Sequence, residues 1–229
     1  AEHVDQARAA IGGAPVYRRR GIDRIEVPRA DVEVDVDMEN VEDGVYLWGA
    51  LLGGEYRAFA TWEPLTAETE AKAFTEFWRW LMQIRGDALA RGQTFRAYCW
   101  HEQAENTQMR RIGTTAGLAD EVEQFIASNE WIDLRKVFDS HCITGSSTGL
   151  KKIAPLAGFT WPVEEPGGGE SMVWYDLAAA GNEAAQHWLL NYNRGDVEAT
   201  HVIREWMCRA DEVSIIDHGR EERVGDGRN

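Results

Sequence analysis

The chain has 229 residues, 44% of them apolar and ten of them tryptophan, with a formal net charge of −15. That is enough apolar material for one large domain or two small ones, and the absence of a Pro/Gly/Ser-rich linker in the middle favours one. The acidic balance excludes binding of nucleic acid by general electrostatics, which relies on Lys and Arg displacing counterions, but not a metal-dependent nuclease whose own acids are ligands.

Residues 1–31 read as a lead-in: a short helix from Val4 to Ile11, a Gly-Gly-Ala-Pro break at Gly12 to Pro15, then an irregular basic segment containing Arg18-Arg19-Arg20. From Val32 to Glu39 apolar and acidic residues alternate strictly, the period of a strand. Val32, Val34, Val36 and Met38 then share one face, and Glu33, Asp35, Asp37 and Glu39 the other. Four like charges on one face repel, so the row is either a solvated edge strand or two of its carboxylates hold a divalent metal. Glu42-Asp43-Gly44 is a turn, Val45 to Leu52 a second strand, Gly53-Gly54 a two-residue hairpin loop, and Tyr56 to Trp62 a third strand, all three antiparallel.

Thr66, Glu68 and Glu70 start a helix whose stripe of Ala73, Phe74, Phe77, Trp78, Leu81 and Ile84 runs to Arg85, with Gly86 as its stop. Thr94 to Trp100 is a buried fourth strand, parallel to the first after so long a crossover. The segment from His101 to Ile112 is helical, as is Asp120 to Ser128; Trp131 to Leu134 is a short strand entering a helix through Phe138, and Ser146 to Ala154 opens a short helix ending near Gly158. Gly167-Gly168-Gly169 is a flexible loop. Asn182 to about Arg209 has the spacing of one long helix or two abutting ones, with Gly195 a weak point, and the tail 211–229 is charged and frayed. Tyr192 and Asp196, four apart, share a helical face that Ala199 and Ile203 continue inward. An inward aspartate must be paired or ligating.

Three blocks occur in order: Asp37-Met38-Glu39, then His101-Glu102-Gln103-Ala104-Glu105 directly after a strand, then Tyr192-Asn193-Arg194-Gly195-Asp196 on a late helix. With the weaker Asp133-Leu134 and Leu150 to Phe159 blocks between, they resemble the exonuclease motifs of the DEDD superfamily of 3′-5′ exonucleases, tyrosine type. More narrowly, 32–210 resembles the RNase H-like exonuclease domain at the C-terminal end of RecB-like nucleases.

The resemblance implies an α/β, RNase H-like fold with a mixed sheet of about five strands, the first three antiparallel, flanked by helices. It implies two Mg²⁺ or Mn²⁺ ions on Asp37, Glu39, Glu105 and Asp196, with Tyr192 orienting the attacking water, and single-stranded DNA or RNA as substrate. The second block departs from the family's Asn-x-x-Phe-Asp: Glu105 stands for the aspartate, His101 for the asparagine and Ala104 for the aromatic residue, with Glu102 the rival to Glu105. Hard cations want carboxylate oxygens, which such a set provides. His101, Asn40, Lys151, Lys152 and Arg194 are secondary candidates for substrate contacts. Asp35 has the same spacing from Asp37 as Asp37 from Glu39 and is read as solvated. Two other functions share the features: a degenerate non-catalytic domain that binds nucleic acid or scaffolds a larger nuclease, and an RNase H-like endonuclease.

The charged start, apolar runs too short to cross a bilayer, and three widely spaced cysteines point to a cytoplasmic protein without a disulfide framework or membrane partner. A chain opening on Ala1 is read as a segment of a longer polypeptide, one carrying a second nuclease or helicase-type module.

Overall fold

The computed structural model describes residues 7, 9–11, 14–42, 44–163, 170–209 and 216–217. In chain order the strands are β1 (Tyr17–Arg18), β2 (Val32–Val41), β3 (Gly44–Leu52), β4 (Glu55–Ala60), β5 (Phe95–Cys99), β6 (Trp131–Asp133), β7 (Cys142–Ile143) and β8 (Ile216–Asp217). The helices are α1 (Ala67–Ala90), α2 (Gln103–Thr115), α3 (Ala119–Ile126), α4 (Leu134–His141), α5 (Leu150–Ile153), α6 (Glu170–Ala179) and α7 (Glu183–Cys208), with a 3₁₀ turn at Ala154–Ala157. They fall into two compact units, a larger one of residues 29–133 and 161–201 and a smaller one of 1–28, 134–160 and 202–229.

The larger unit is built on a five-stranded mixed sheet in the order β4-β3-β2-β5-β6. The first three strands are antiparallel, and β5 and β6 run parallel to β2. The acidic strand is therefore central. Gly53 and Gly54 turn the β3–β4 hairpin with φ of +59° and +87°, the left-handed pair that a two-residue loop requires. Alternation sends Val34 and Val36 into a core with Trp48, Phe74, Phe77, Trp78 and Leu81, beneath α1, α2 and α3. The opposite face, which carries the acids, has its own cluster of Tyr46, Leu47, Tyr175, Ala185 and Leu189, from β3, α6 and α7.

One expectation for the helices changes, and one left open is decided. α1 passes through Gly86 and ends at Ala90, after which Gly92 at φ +70° lets the chain turn back and donate to Leu89 O. A helix-interior glycine costs only about 1 kcal/mol, which the further helical turn, with Ala88 buried in the core, offsets. α7 is one uninterrupted helix across Gly195. The triglycine 167–169, half of the residues read as the N-terminal helix and most of the tail lie outside the described residues.

The smaller unit contains a second sheet, in which β1 pairs antiparallel with β7 and parallel with β8. The segment read as an irregular lead-in thus supplies a strand. Its Tyr17 packs with Ala9 and Ile143, and Phe138 stacks on Trp206 at 6.4 Å. No helix among the described residues is long and apolar enough to cross a membrane.

Candidate metal centre

Strand period and helix period bring three carboxylates together. β2 presents Asp37 and Glu39 two residues apart, α7 presents Asp196, and one oxygen from each lies within 4.8 Å of the others. Without compensation such a group repels itself. Asn193, one helical turn before Asp196 and fully buried, answers this: its Nδ2 donates to Asp37 Oδ2 at 2.8 Å and to Glu39 Oε1 at 3.4 Å. Its Oδ1 accepts from the Tyr56 hydroxyl at 2.8 Å, which fixes the amide so that its donors face the acids. Burial, and then Asp37 and Glu39, push the Tyr56 phenol far above its ordinary pKa and keep it a donor. The same causes, with Tyr192 among the charges, raise the Tyr46 phenol.

Two glycines make room. Gly49 stands opposite Asp37 in the β2–β3 register, and a Cβ there would fall 1.7 Å from Asn193 Oδ1. Gly195 seats the Trp161 ring, since a Cβ on it would lie 2.7 Å from Trp161 Cδ1; Trp161 Nε1 in turn donates to Asp196 Oδ1 at 2.6 Å. The residue read as a weak point in the helix is the floor under an indole.

The remaining acids of the row have their own partners. Glu33 accepts from Arg29 Nε at 2.7 Å, from Tyr98 OH at 2.8 Å and from the Ala30 amide. Asp35, read as solvated, is 1% exposed, and its Oδ2 lies 3.0 Å from His201 Nδ1. The buried acid is thus in the middle of the row, because α7 covers that part of the face with a histidine.

Tyr192 is partly exposed, and its ring stacks on Trp188 at 5.3 Å, which stacks on Trp174 at 5.0 Å. Glu105 is buried in the first turn of α2 and lies outside the three-carboxylate group. Its Oε2 meets no hydrogen-bond partner, and burial pushes its pKa up to about 8, with Asp133 and Glu102 adding to the effect. Glu102, the rival, is half-buried just before α2. The β5–α2 turn is held by Asp133, which accepts from the His101 and Glu102 amides at 3.1 and 3.2 Å while His101 takes φ +81°. Of the four acids expected as ligands, the structure brings Asp37, Glu39 and Asp196 together and sets Glu105 apart from them, beside Asp133 and Glu102.

The secondary candidates are dispersed. Asn40 is exposed and donates to Glu42 O, Arg194 pairs with Glu198 at 2.7 Å, His101 is exposed, and Lys151 and Lys152 belong to the smaller unit. Asn193, Tyr56, Gly49 and Trp161 were missed. Asn193 alone carried a sequence signal, its place three residues before Asp196 on one helical face.

The donor set is all oxygen, compact and held by neutral donors, which fits a hard divalent cation. No curated protein and no solved structure matches the chain. The sequence profile of the RNase H superfamily matches residues 31–208, in keeping with the five-stranded mixed sheet and its flanking helices, and the chain belongs to that superfamily.

Proposed function

We propose that the chain is a 3′-5′ exonuclease that hydrolyses single-stranded DNA or RNA with two Mg²⁺ or Mn²⁺ ions. Membership of the RNase H superfamily supports a nuclease-type activity on nucleic acid and a need for divalent metal. The observation that carries the finer reading is the convergence of Asp37, Glu39 and Asp196 from a central strand and a late helix, in the order of the tyrosine-type motifs. Divalent ions bound there supply a nucleophilic hydroxide near neutral pH and offset charge on the attacking and leaving oxygens.

The protein's own part is to hold and orient. Asp37, Glu39 and Asp196 are the direct ligands. Asn193 fixes the first two carboxylates and Trp161 the third. Tyr192 positions the attacking water, since a phenol, with an ordinary pKa near 10, is a poor base. Glu105 assists through water, consistent with its place outside the compact group. His101 and Asn40 are assigned contacts with the substrate, and the chain works as part of a longer polypeptide with a second nuclease or helicase-type module.

The test is incubation with 5′-labelled single strands and Mn²⁺ or Mg²⁺. The parent shortens them stepwise from the 3′ end, and Asp37→Ala or Asp196→Ala lowers the rate by about a thousandfold, the loss of several kcal/mol of charge stabilisation. Equal rates in parent and variants contradict the assignment. Internal fragments point to an endonuclease on the same acids, and no cleavage without metal uptake points to a scaffold.

A further inference from the structure

The charge of the chain is unevenly divided. The larger unit holds 10 of the 24 Lys and Arg and 27 of the 39 Asp and Glu, a net −17, and the smaller unit holds the remaining 14 and 12, a net +2. Within the smaller unit, residues 14–28 and 134–160 carry eight basic side chains against three acidic ones. The basic pair Arg110-Arg111 of the larger unit is committed to its own acids, Arg110 to Glu123 at 2.6 Å and Arg111 to buried Glu70 at 2.9 Å. The local excess of base thus lies in these two stretches of the smaller unit.

That unit contains a pocket of ≈ 420 Å³ in which Arg19, Arg135, Asp139, Ser146, Ser147 and Thr148 line the wall beside Thr144, Cys142 and Ile143. Its parts are fixed by the backbone around them. Arg19 follows β1, and its Nε donates to the Asp139 and Cys142 carbonyls at 2.7 and 3.0 Å, where α4 runs into β7. Arg135, in the first turn of α4, donates from Nε to Thr148 Oγ1 at 3.1 Å. The loop bearing the serines is folded by Thr144 Oγ1, which donates to Ser146 O at 2.6 Å. It is pressed against the N-terminal helix at Gly145, where a Cβ would fall 2.6 Å from Ala10 Cα. The lining thus brings together two arginines, four hydroxyl residues and one acid, Asp139, whose carboxylate lies 3.6 Å from Arg135 Nε. Planar N–H forks with hydroxyl donors between them match a tetrahedral oxyanion carrying one or two charges.

We propose that this pocket holds a backbone phosphate of the nucleic-acid strand, giving an otherwise acidic nuclease its grip on the chain. The ligand class rests on the nuclease reading above; the pocket's preference for a phosphate rests on its own groups. One seated phosphate contributes about one unit to the slope of log Kd against log salt.

The test is fluorescence anisotropy of a labelled single-stranded 20-mer on the full chain, in EDTA and at several salt concentrations. Beside it, the Mn²⁺-dependent hydrolysis of bis(p-nitrophenyl) phosphate by the parent is measured. Arg135→Gln should weaken oligonucleotide binding about three- to tenfold and lower the salt slope by about one. Ser147→Asp, an exposed change that disturbs no hydrogen bond named here, should weaken it similarly, and Asp139→Asn should tighten it. Parental affinity and slope in both Arg135→Gln and Ser147→Asp overturn the proposal. A parent that hydrolyses the small ester but does not bind the oligonucleotide also overturns it while leaving the nuclease reading intact. Arg135-dependent binding without hydrolysis upholds the pocket and removes the nuclease.

Discussion

At the scale of single residues, Asn193 decides whether two carboxylates and a third can stand within 4.8 Å of one another. A neutral amide relieves their repulsion without adding charge, and charge-assisted hydrogen bonds of this kind are worth about 1.5–3 kcal/mol each. Its seat exists only because the residue across the sheet has no side chain. Gly49→Ala is therefore expected to displace Asn193, and to lower Mn²⁺-dependent cleavage at least about tenfold while the protein still melts cooperatively. Unchanged cleavage would show that the amide is not needed. Glu105 yields a prediction of a different kind. Its folded pKa of about 8 stands above the 4.5 of an ordinary glutamate, so the folded chain holds that proton more tightly than the unfolded one. The resulting stability is complete below about pH 4.5 and is lost as pH rises through 8, at up to about 1.4 kcal/mol per pH unit. In EDTA, the melting temperature of the parent should fall relative to that of Glu105→Gln between pH 5 and pH 8.5. Parallel curves would mean that the carboxyl is not buried as described.

At the scale of elements, α7 is the organising piece of the site. Its 3.6-residue period sets Tyr192, Asn193 and Asp196 along neighbouring rows, and it carries Gly195 in its interior without a break. Replacing a helix-interior glycine by alanine ordinarily stabilises by up to about 1 kcal/mol. Gly195→Ala should do the reverse, because the new Cβ meets the Trp161 ring and dislodges the hydrogen bond to Asp196. A raised melting temperature with cleavage intact would contradict that reading. This is also where sequence and structure part company. The strand that carries Asp37 and Glu39 and the helix that carries Tyr192 and Asp196 were legible because each depends on the period of one element, while the choice of those residues within their rows came from the motif resemblance. The roles of Gly49 and Tyr56 depend on the register between neighbouring strands, and that of Trp161 on a loop 35 residues away from its acceptor. No local pattern encodes these. Asp35 misled for the same reason: alternation told which face it took, and only the tertiary fold supplied His201. Gly86 misled because its own helical cost, about 1 kcal/mol, is offset by the further turn it leads into, in which Ala88 is buried.

At the scale of the whole molecule, a net charge of −15 conceals a division of labour. The unit with the carboxylate centre carries a net −17 and the smaller unit a net +2, its Arg19 and Arg135 lining the pocket assigned to a phosphate. A centre of three carboxylates held by neutral donors stores repulsion that a dication removes, so metal uptake should be tight and should stabilise the fold. The most direct measurement is a calorimetric titration of Mn²⁺ into the metal-free chain at pH 7.5, beside Asp196→Asn and the distant Glu33→Gln. The parent and Glu33→Gln are expected to bind Mn²⁺ alike, and Asp196→Asn at least about tenfold more weakly. Equal affinity in Asp196→Asn and the parent would contradict the metal assignment.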